Sequence, residues 1–223
     1  MSQQLPLDLP VREARGRADF FVSPSNAEAV AAIEAWTDWP LGKLVLAGPE
    51  GSGKSHLTHV WAGLAGAEIV AATELEETAL PALTAQAVAV EDVPQIAGTP
   101  QEITLFHLHN MAQAAGVPLL LTGTGRPAGW GLRLPDLQSR IEGTRLVTIA
   151  PPDDALLTQL LAKLFTDRQI EPDPSLLTYL TPRIERSFAA AAAFVAALDR
   201  AALAAKRPVS TRLARELLDN PET

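Results

Sequence analysis

The chain has 223 residues, 47% of them hydrophobic and 20% charged, which is enough apolar material for a buried core and excludes a disordered chain. With 18 basic and 26 acidic residues the net charge is −8, which argues against a surface built to hold nucleic acid; the lack of cysteine excludes disulfides and thiolate metal sites. The start, Met1-Ser2-Gln3-Gln4-Leu5-Pro6, has no basic region followed by an apolar run, and the apolar stretch 117–121 is too short to span a bilayer, so a soluble cytoplasmic protein is expected.

Residues 1–18 read as an extended tail. Leu5, Leu7 and Leu9 alternate along it after Gln4, and Pro6 and Pro10 favour an extended backbone. A leucine gains about 1.5–3 kcal/mol on full burial, so a row of three in a tail calls for a groove elsewhere. The charged run 12–19 that follows has neither helical nor strand period.

Residues 19–151 have an α/β pattern. Asn26 is placed to start a helix over 27–39, closed by Pro40. Short apolar runs at 43–47, 68–71, 87–93, 117–122 and 145–149 read as strands, with helical stretches at 53–64 and 101–115 among them. Continuous apolar strands alternating with helices predict a five-stranded parallel sheet covered on both faces. After Pro151-Pro152 the pattern becomes helical throughout, which predicts an all-helical unit over 152–223. Asp153 and Asp154 can cap its first helix, where Leu156, Leu160 and Leu164 form one column and Leu157, Leu161 and Phe165 another. Further helices are expected at 174–180, 188–205 and 210–218. The alanine run 189–193 reads simply as good helix former.

The chemistry centres on Gly48-Pro49-Glu50-Gly51-Ser52-Gly53-Lys54-Ser55, which fits the P-loop pattern G-x-x-x-x-G-K-[ST] between a strand and a helix. Gly48, Gly51 and Gly53 let backbone N–H groups turn toward phosphates, beside Ser52; Lys54 supplies a positive charge, and the Ser55 hydroxyl can ligate Mg²⁺. The helix N-terminus adds its own positive end, with His56 just inside it. The next strand ends in Glu91-Asp92, with Glu91 the candidate for the metal and Asp92 for positioning the attacking water. Thr122, at the end of a further strand, is a candidate sensor of the γ-phosphate or water, and Thr124 is an alternative. His107 and His109 are two apart on a predicted helix and point to different sides, so they cannot share a metal. His56 and His59 are expected to pack or support the loop.

The order of these parts resembles a DnaA-type AAA+ domain: the P-loop with His56-Leu57, Glu91-Asp92, Thr122, Leu134-Pro135-Asp136-Leu137-Gln138-Ser139-Arg140-Ile141, Pro151-Pro152-Asp153 and a helical lid. The resemblance covers about residues 19–218 and is nearest to the Hda family, DnaA homologues that lack the helix-turn-helix domain and carry a Q-L-x-L-x-L clamp-binding motif. Gln4-Leu5-Pro6-Leu7-Asp8-Leu9 matches that motif, and the chain stops after the predicted lid. The resemblance implies an AAA+ core at 19–151 with a lid at 152–223, and ADP or ATP with Mg²⁺ as the bound cofactors. It implies two partners, the β sliding clamp of DNA polymerase III, reached through Gln4, Leu5, Leu7 and Leu9, and DnaA, whose bound ATP is hydrolysed faster in response. Arg140 is then an arginine finger offered in trans, and a head-to-tail homo-oligomer is compatible with the family's geometry.

One departure concerns the lid arginine that DnaA-type domains direct at the phosphates. That position falls at or near Ala189, with Arg186 one turn earlier as the candidate substitute. ADP is therefore expected as the functional ligand, with slow ATPase activity at most. The competing readings are a self-sufficient ATPase of the helicase-loader type and an AAA+ adaptor that binds DNA directly; neither needs the motif at Gln4–Leu9.

Overall fold

The computed structural model describes residues 21–219. The tail motif of Gln4, Leu5, Leu7 and Leu9 lies outside the described residues. Helix α1 (Ala27–Glu34) begins after Asn26, whose Oδ1 accepts the Ser23 N–H at 2.9 Å and so closes a turn rather than capping the helix. The expected helix over 27–39 is shorter than its pattern suggests. The chain leaves α1 at Ala35 and passes through 3₁₀ turns at Trp36–Asp38 and Pro40–Gly42. The cause is Trp39: it is buried, its Nε1–H donates to the Ala32 carbonyl at 2.7 Å, and its ring stacks on Trp61 with centroids 5.1 Å apart. A straight helix would carry that indole away from both contacts.

Five strands follow in the order expected: β1 (Lys43–Ala47), β2 (Glu68–Ala71), β3 (Val88–Glu91), β4 (Leu119–Gly123) and β5 (Leu146–Thr148). They form one parallel sheet in the order β2-β3-β4-β1-β5, so β1 lies between β4 and β5 and is buried along its whole length. Between them run α2 (Lys54–Ala65), the short α3 (Leu80–Leu83), α4 (Gln101–Ala115) and α5 (Pro135–Glu142). One buried cluster, including Val45, Val90, Leu105, Leu108 and Leu121, fills one face of the sheet. Another, with Ile33, Leu44, Leu57, Trp61 and Leu120, fills the opposite face under α1 and α2. Strand residues alternate between the two clusters, as the two-residue period of a strand covered on both sides requires.

After β5 come α6 (Asp154–Asp167), α7 (Pro174–Leu180), α8 (Phe188–Ala205) and α9 (Thr211–Asp219), with no strand among the described residues. Asp153 caps α6 by accepting the Leu156 N–H at 2.8 Å. These helices bury their own cluster around Leu157, Leu161, Phe165, Val195 and Leu198. Helix α8 is long and apolar enough to cross a membrane by length and composition, yet Ala191, Val195, Leu198 and Ala202 pack into this cluster. Its buried face belongs to that cluster.

Candidate functional site

The loop between β1 and α2 leaves the centre of the sheet, where both neighbouring strands hold its approach. Gly48 follows at once, and a Cβ there would come within 2.8 Å of the Ile149 carbonyl and 2.7 Å of Ser52 Oγ, so only glycine fits. Gly51 (φ +67°) and Gly53 (φ +101°) lie in the left-handed region, and α2 begins at Lys54 directly behind them. Lys54 Nζ folds back to donate to the Gly48 and Pro49 carbonyls at 3.0 and 2.8 Å. Burial lowers its pKa, against the pull of Asp92, Glu50 and Glu91, which raise it. Ser52 is buried, with its Oγ lacking a hydrogen-bond partner, and the Ser55 hydroxyl group sits on an exposed residue of the first turn of α2.

The two acids of the pair have different surroundings. Glu91 ends β3, and its Oε1 is buried without a hydrogen-bond partner. Asp92 takes a left-handed conformation, φ +57°, which turns the chain out of the sheet and into a 3₁₀ turn at Val93–Ile96. That strained backbone is held by Thr122, whose Oγ1 accepts the Asp92 N–H at 3.2 Å. Thr122 is 1% exposed, so its hydroxyl supports Asp92, while Thr124 is the threonine that borders the open space beyond.

The helical unit meets the loop directly. The Phe188 N–H donates to the Gly51 carbonyl at 2.7 Å. A Cβ at Gly51 would lie 2.7 Å from Ser187 Cβ, and one at Gly53 would lie 3.3 Å from the Phe188 ring. Ser187 caps α8 by accepting the Ala190 N–H at 3.0 Å.

Together these parts enclose a cleft of about 480 Å³. Gly51, Gly53, Lys54, Ser55 and His56 border it on the loop side, and Asp92, Gln95 and Thr124 on the acid side. Opposite stand Leu156, Leu160 and Leu164 from α6 with Phe188, Ala189 and Ala192 from α8; Phe21 also contributes. The cleft thus joins a polar end, able to hold a phosphate chain, to an apolar surface able to hold a ring system. Among the described residues no three His, Asp or Glu side chains cluster to hold a metal alone. Ser55 and Asp92 border the cleft and offer oxygen ligands only, which fits a Mg²⁺ that takes most of its ligands from phosphate and water; Glu91, with its buried Oε1, is not among the residues bordering the cleft.

One candidate meets different geometry. Arg186 is not among the residues bordering the cleft; it pairs with Asp154 at 2.6 Å and donates to the Pro152 carbonyl. Ala189 does border it. Arg140 stands exposed on α5, with its guanidinium 5.3 Å from the Phe106 ring centroid, and it also lies outside the cleft lining. His107 is exposed and His109 buried, on different sides of α4 as expected. Lys163, Asp167, Gln95 and Phe21 border the cleft without having been singled out by the sequence. The two columns of α6 carried the usable signal: Leu157, Leu161 and Phe165 are fully buried, whereas 156, 160 and 164 face the cleft.

No family model matches the sequence. Among solved structures, domain III of the Thermotoga maritima replication initiation protein DnaA aligns with a TM-score of 0.78 at 17% identity, over 95% of this chain and 98% of that one. DnaA bound to AMPPCP and single-stranded DNA aligns with a TM-score of 0.67 at 18% identity, over 82% of this chain; the chain spans only 63% of that protein. The Thermotoga maritima RuvB Holliday junction branch migration motor gives 0.70 at 16% identity, over 92% and 72% of the two chains. At such identities the likeness speaks for the fold alone: this chain has a DnaA-like AAA+ fold, a five-stranded parallel sheet flanked by helices, followed by the helices that close on its phosphate loop.

Proposed function

We propose that the chain is a nucleotide-bound regulator of the Hda type, which acts on DnaA rather than turning over its own nucleotide. ADP, or ATP, binds in the cleft with its phosphates on the 48–55 loop and Mg²⁺ near Ser55 and the Glu91-Asp92 pair. Lys54 would leave the Gly48 and Pro49 carbonyls to meet the phosphates. With Ala189 at the lid position and Arg186 held by Asp154, no arginine of the lid borders this site among the described residues, which favours a resting ADP form.

The observation that carries the reading is the placement of Arg140. It is exposed, it is carried on a helix rather than a loop, and it is not among the residues that border the protein's own cleft. A guanidinium so placed serves another molecule's nucleotide, where stabilising charge on the transferred phosphoryl group is worth about 10³–10⁵ in rate. The partner is DnaA–ATP, brought close because Gln4, Leu5, Leu7 and Leu9 dock on the β sliding clamp loaded on DNA. Two experiments test this. In a mixture of loaded clamp and DnaA–ATP, Arg140→Ala should abolish stimulated hydrolysis; unchanged hydrolysis rejects the role. A pull-down on purified clamp should retain the intact chain and lose the Gln4→Ala/Leu5→Ala variant.

A further inference from the structure

Glu102 is 3% exposed in the first turn of α4, and its carboxylate bonds to the backbone of two separate segments. Its Oε1 accepts the Gly98 N–H at 2.5 Å, in the loop that follows Asp92 and the 93–96 turn. The same carboxylate accepts the Arg133 N–H at 2.9 Å and the Leu134 N–H at 2.6 Å, at the residues that lead into α5 and so to Arg140. Burial disfavours the charged form, but the three N–H groups outweigh it and hold the carboxyl below the usual glutamate range. A buried anion with three backbone donors is a strong constraint, because charged hydrogen bonds of this kind are short and stiff.

A second contact joins the same two regions. Trp130, between β4 and α5, packs so tightly on Gly123 that a Cβ there would lie 2.5 Å from its ring; the same Cβ would lie 2.7 Å from Pro94 Cδ. Trp130, ahead of α5, and Pro94, in the turn that follows Asp92, thus pack against the same glycine. Arg133 adds its side chain over Gly98, where a Cβ would lie 3.0 Å from Nε.

We infer that Glu102 is a positioning residue, tying the acid turn of the protein's own nucleotide site to the helix that presents Arg140, so that the finger's placement follows the state of that site. The inference rests on the function proposed above for Arg140. Gln at this position keeps the shape and one acceptor oxygen but turns its NH2 group toward a backbone donor, so Glu102→Gln removes the negative charge and the contact made by the second oxygen, weakening the tie with little change in volume. In the DnaA–ATP assay the maximal stimulated rate of Glu102→Gln should fall roughly 10- to 100-fold, the cost of a small misplacement of a catalytic group. The concentration giving half the effect and the variant's own affinity for ADP should both stay unchanged. A maximal rate equal to wild type overturns the inference, and so does a loss that adding more protein restores, because that reports only a smaller folded fraction.

Hydrogen exchange on the wild-type chain decides the matter if the variant does not fold, or if wild-type protein gives no stimulation and the proposed function itself fails. ADP binding should change protection in residues 133–142 together with residues 92–98. Protection that changes at 92–98 and stays fixed at 133–142 overturns the link.

Discussion

The backbone N–H of Phe188 donates to the carbonyl of Gly51 at 2.7 Å, so the longest helix of the C-terminal unit rests on the phosphate loop itself. The bond is possible because Gly51 has no side chain: a Cβ would collide with Ser187 at 2.7 Å, and φ is +67°. Gly51→Ala should therefore both strain the loop, at about 1–2 kcal/mol for a left-handed alanine, and lift α8 from it. Thermal unfolding should shift down and ADP affinity should fall in the same variant. Loss of stability with full affinity would mean that the helix contact does not shape the site.

Lys54 donates to two loop carbonyls and borders the cleft. Lys54→Ala is expected to weaken ADP binding by roughly 10- to 100-fold, the equivalent of charged hydrogen bonds worth about 1.5–3 kcal/mol. Calorimetric titration gives the value directly, and an affinity equal to wild type would place the phosphates elsewhere.

Arg186→Ala provides the contrasting case. Its guanidinium holds Asp154 and the Pro152 carbonyl, outside the cleft lining. The variant should bind ADP and ATP as wild type does, and its melting temperature should barely move, since half-exposed ion pairs contribute about 0–1 kcal/mol. A selective loss of ATP affinity would show that this arginine swings into the site after all.

Leu41 is 75% exposed and sits at φ +53°, where a branched side chain strains the backbone. Leu41→Gly should raise stability by about 0.5–1 kcal/mol, the left-handed strain removed less the added freedom of glycine in the unfolded chain. Chemical denaturation measures it; a destabilised variant would indicate that Leu41 has contacts outweighing the strain.

A pH dependence follows from the buried group at the start of β1. Lys43 Nζ donates to the His109 carbonyl at 3.1 Å and to Gln113 at 2.9 Å, and lies 3.1 Å from His109 Nδ1. Burial, with Arg140 nearby, lowers the lysine from 10.5 to about 8; burial, with Lys43 and Arg140, lowers the histidine from 6.5 to about 4. Both groups bind protons more readily in the unfolded chain, so each makes stability rise with pH within its window: about 4 to 6.5 for His109 and about 8 to 10.5 for Lys43. Relative to Lys43→Met, the wild type should gain stability between pH 8 and 10.5, by no more than about 1.4 kcal/mol per pH unit. A difference between the two proteins that stays flat over that range would contradict the burial of a charged amine here.

Much of this molecule can be read along the chain because the determinants are local. A P-loop is a run of glycines with a lysine, and its position between an apolar strand and a helix is visible in the sequence. The strands at Lys43–Ala47 and Glu68–Ala71 and the helices at Gln101–Ala115, Pro174–Leu180 and Phe188–Ala205 have the bounds that their apolar periods suggest. Periodicity works there because each element buries a face set by its own spacing.

Elsewhere the outcome depended on residues far apart in sequence, and only the folded chain decided it. Helix α1 ends early because Trp39 finds Trp61. Thr122 and Thr124 look alike in sequence, but strand pairing buries the first beneath Asp92 and leaves the second at the cleft. Arg186 has the right chemistry one turn from the expected position, yet Asp154 captures it. Glu102 looks like any surface glutamate near a helix start until Gly98, Arg133 and Leu134 converge on it. The sequence determined which chemical groups were available and which elements carried them, since propensity and period act between neighbours. Which groups meet was determined by the packing of the sheet and helices, because hydrogen bonds and steric contacts act through space between residues that the chain keeps apart.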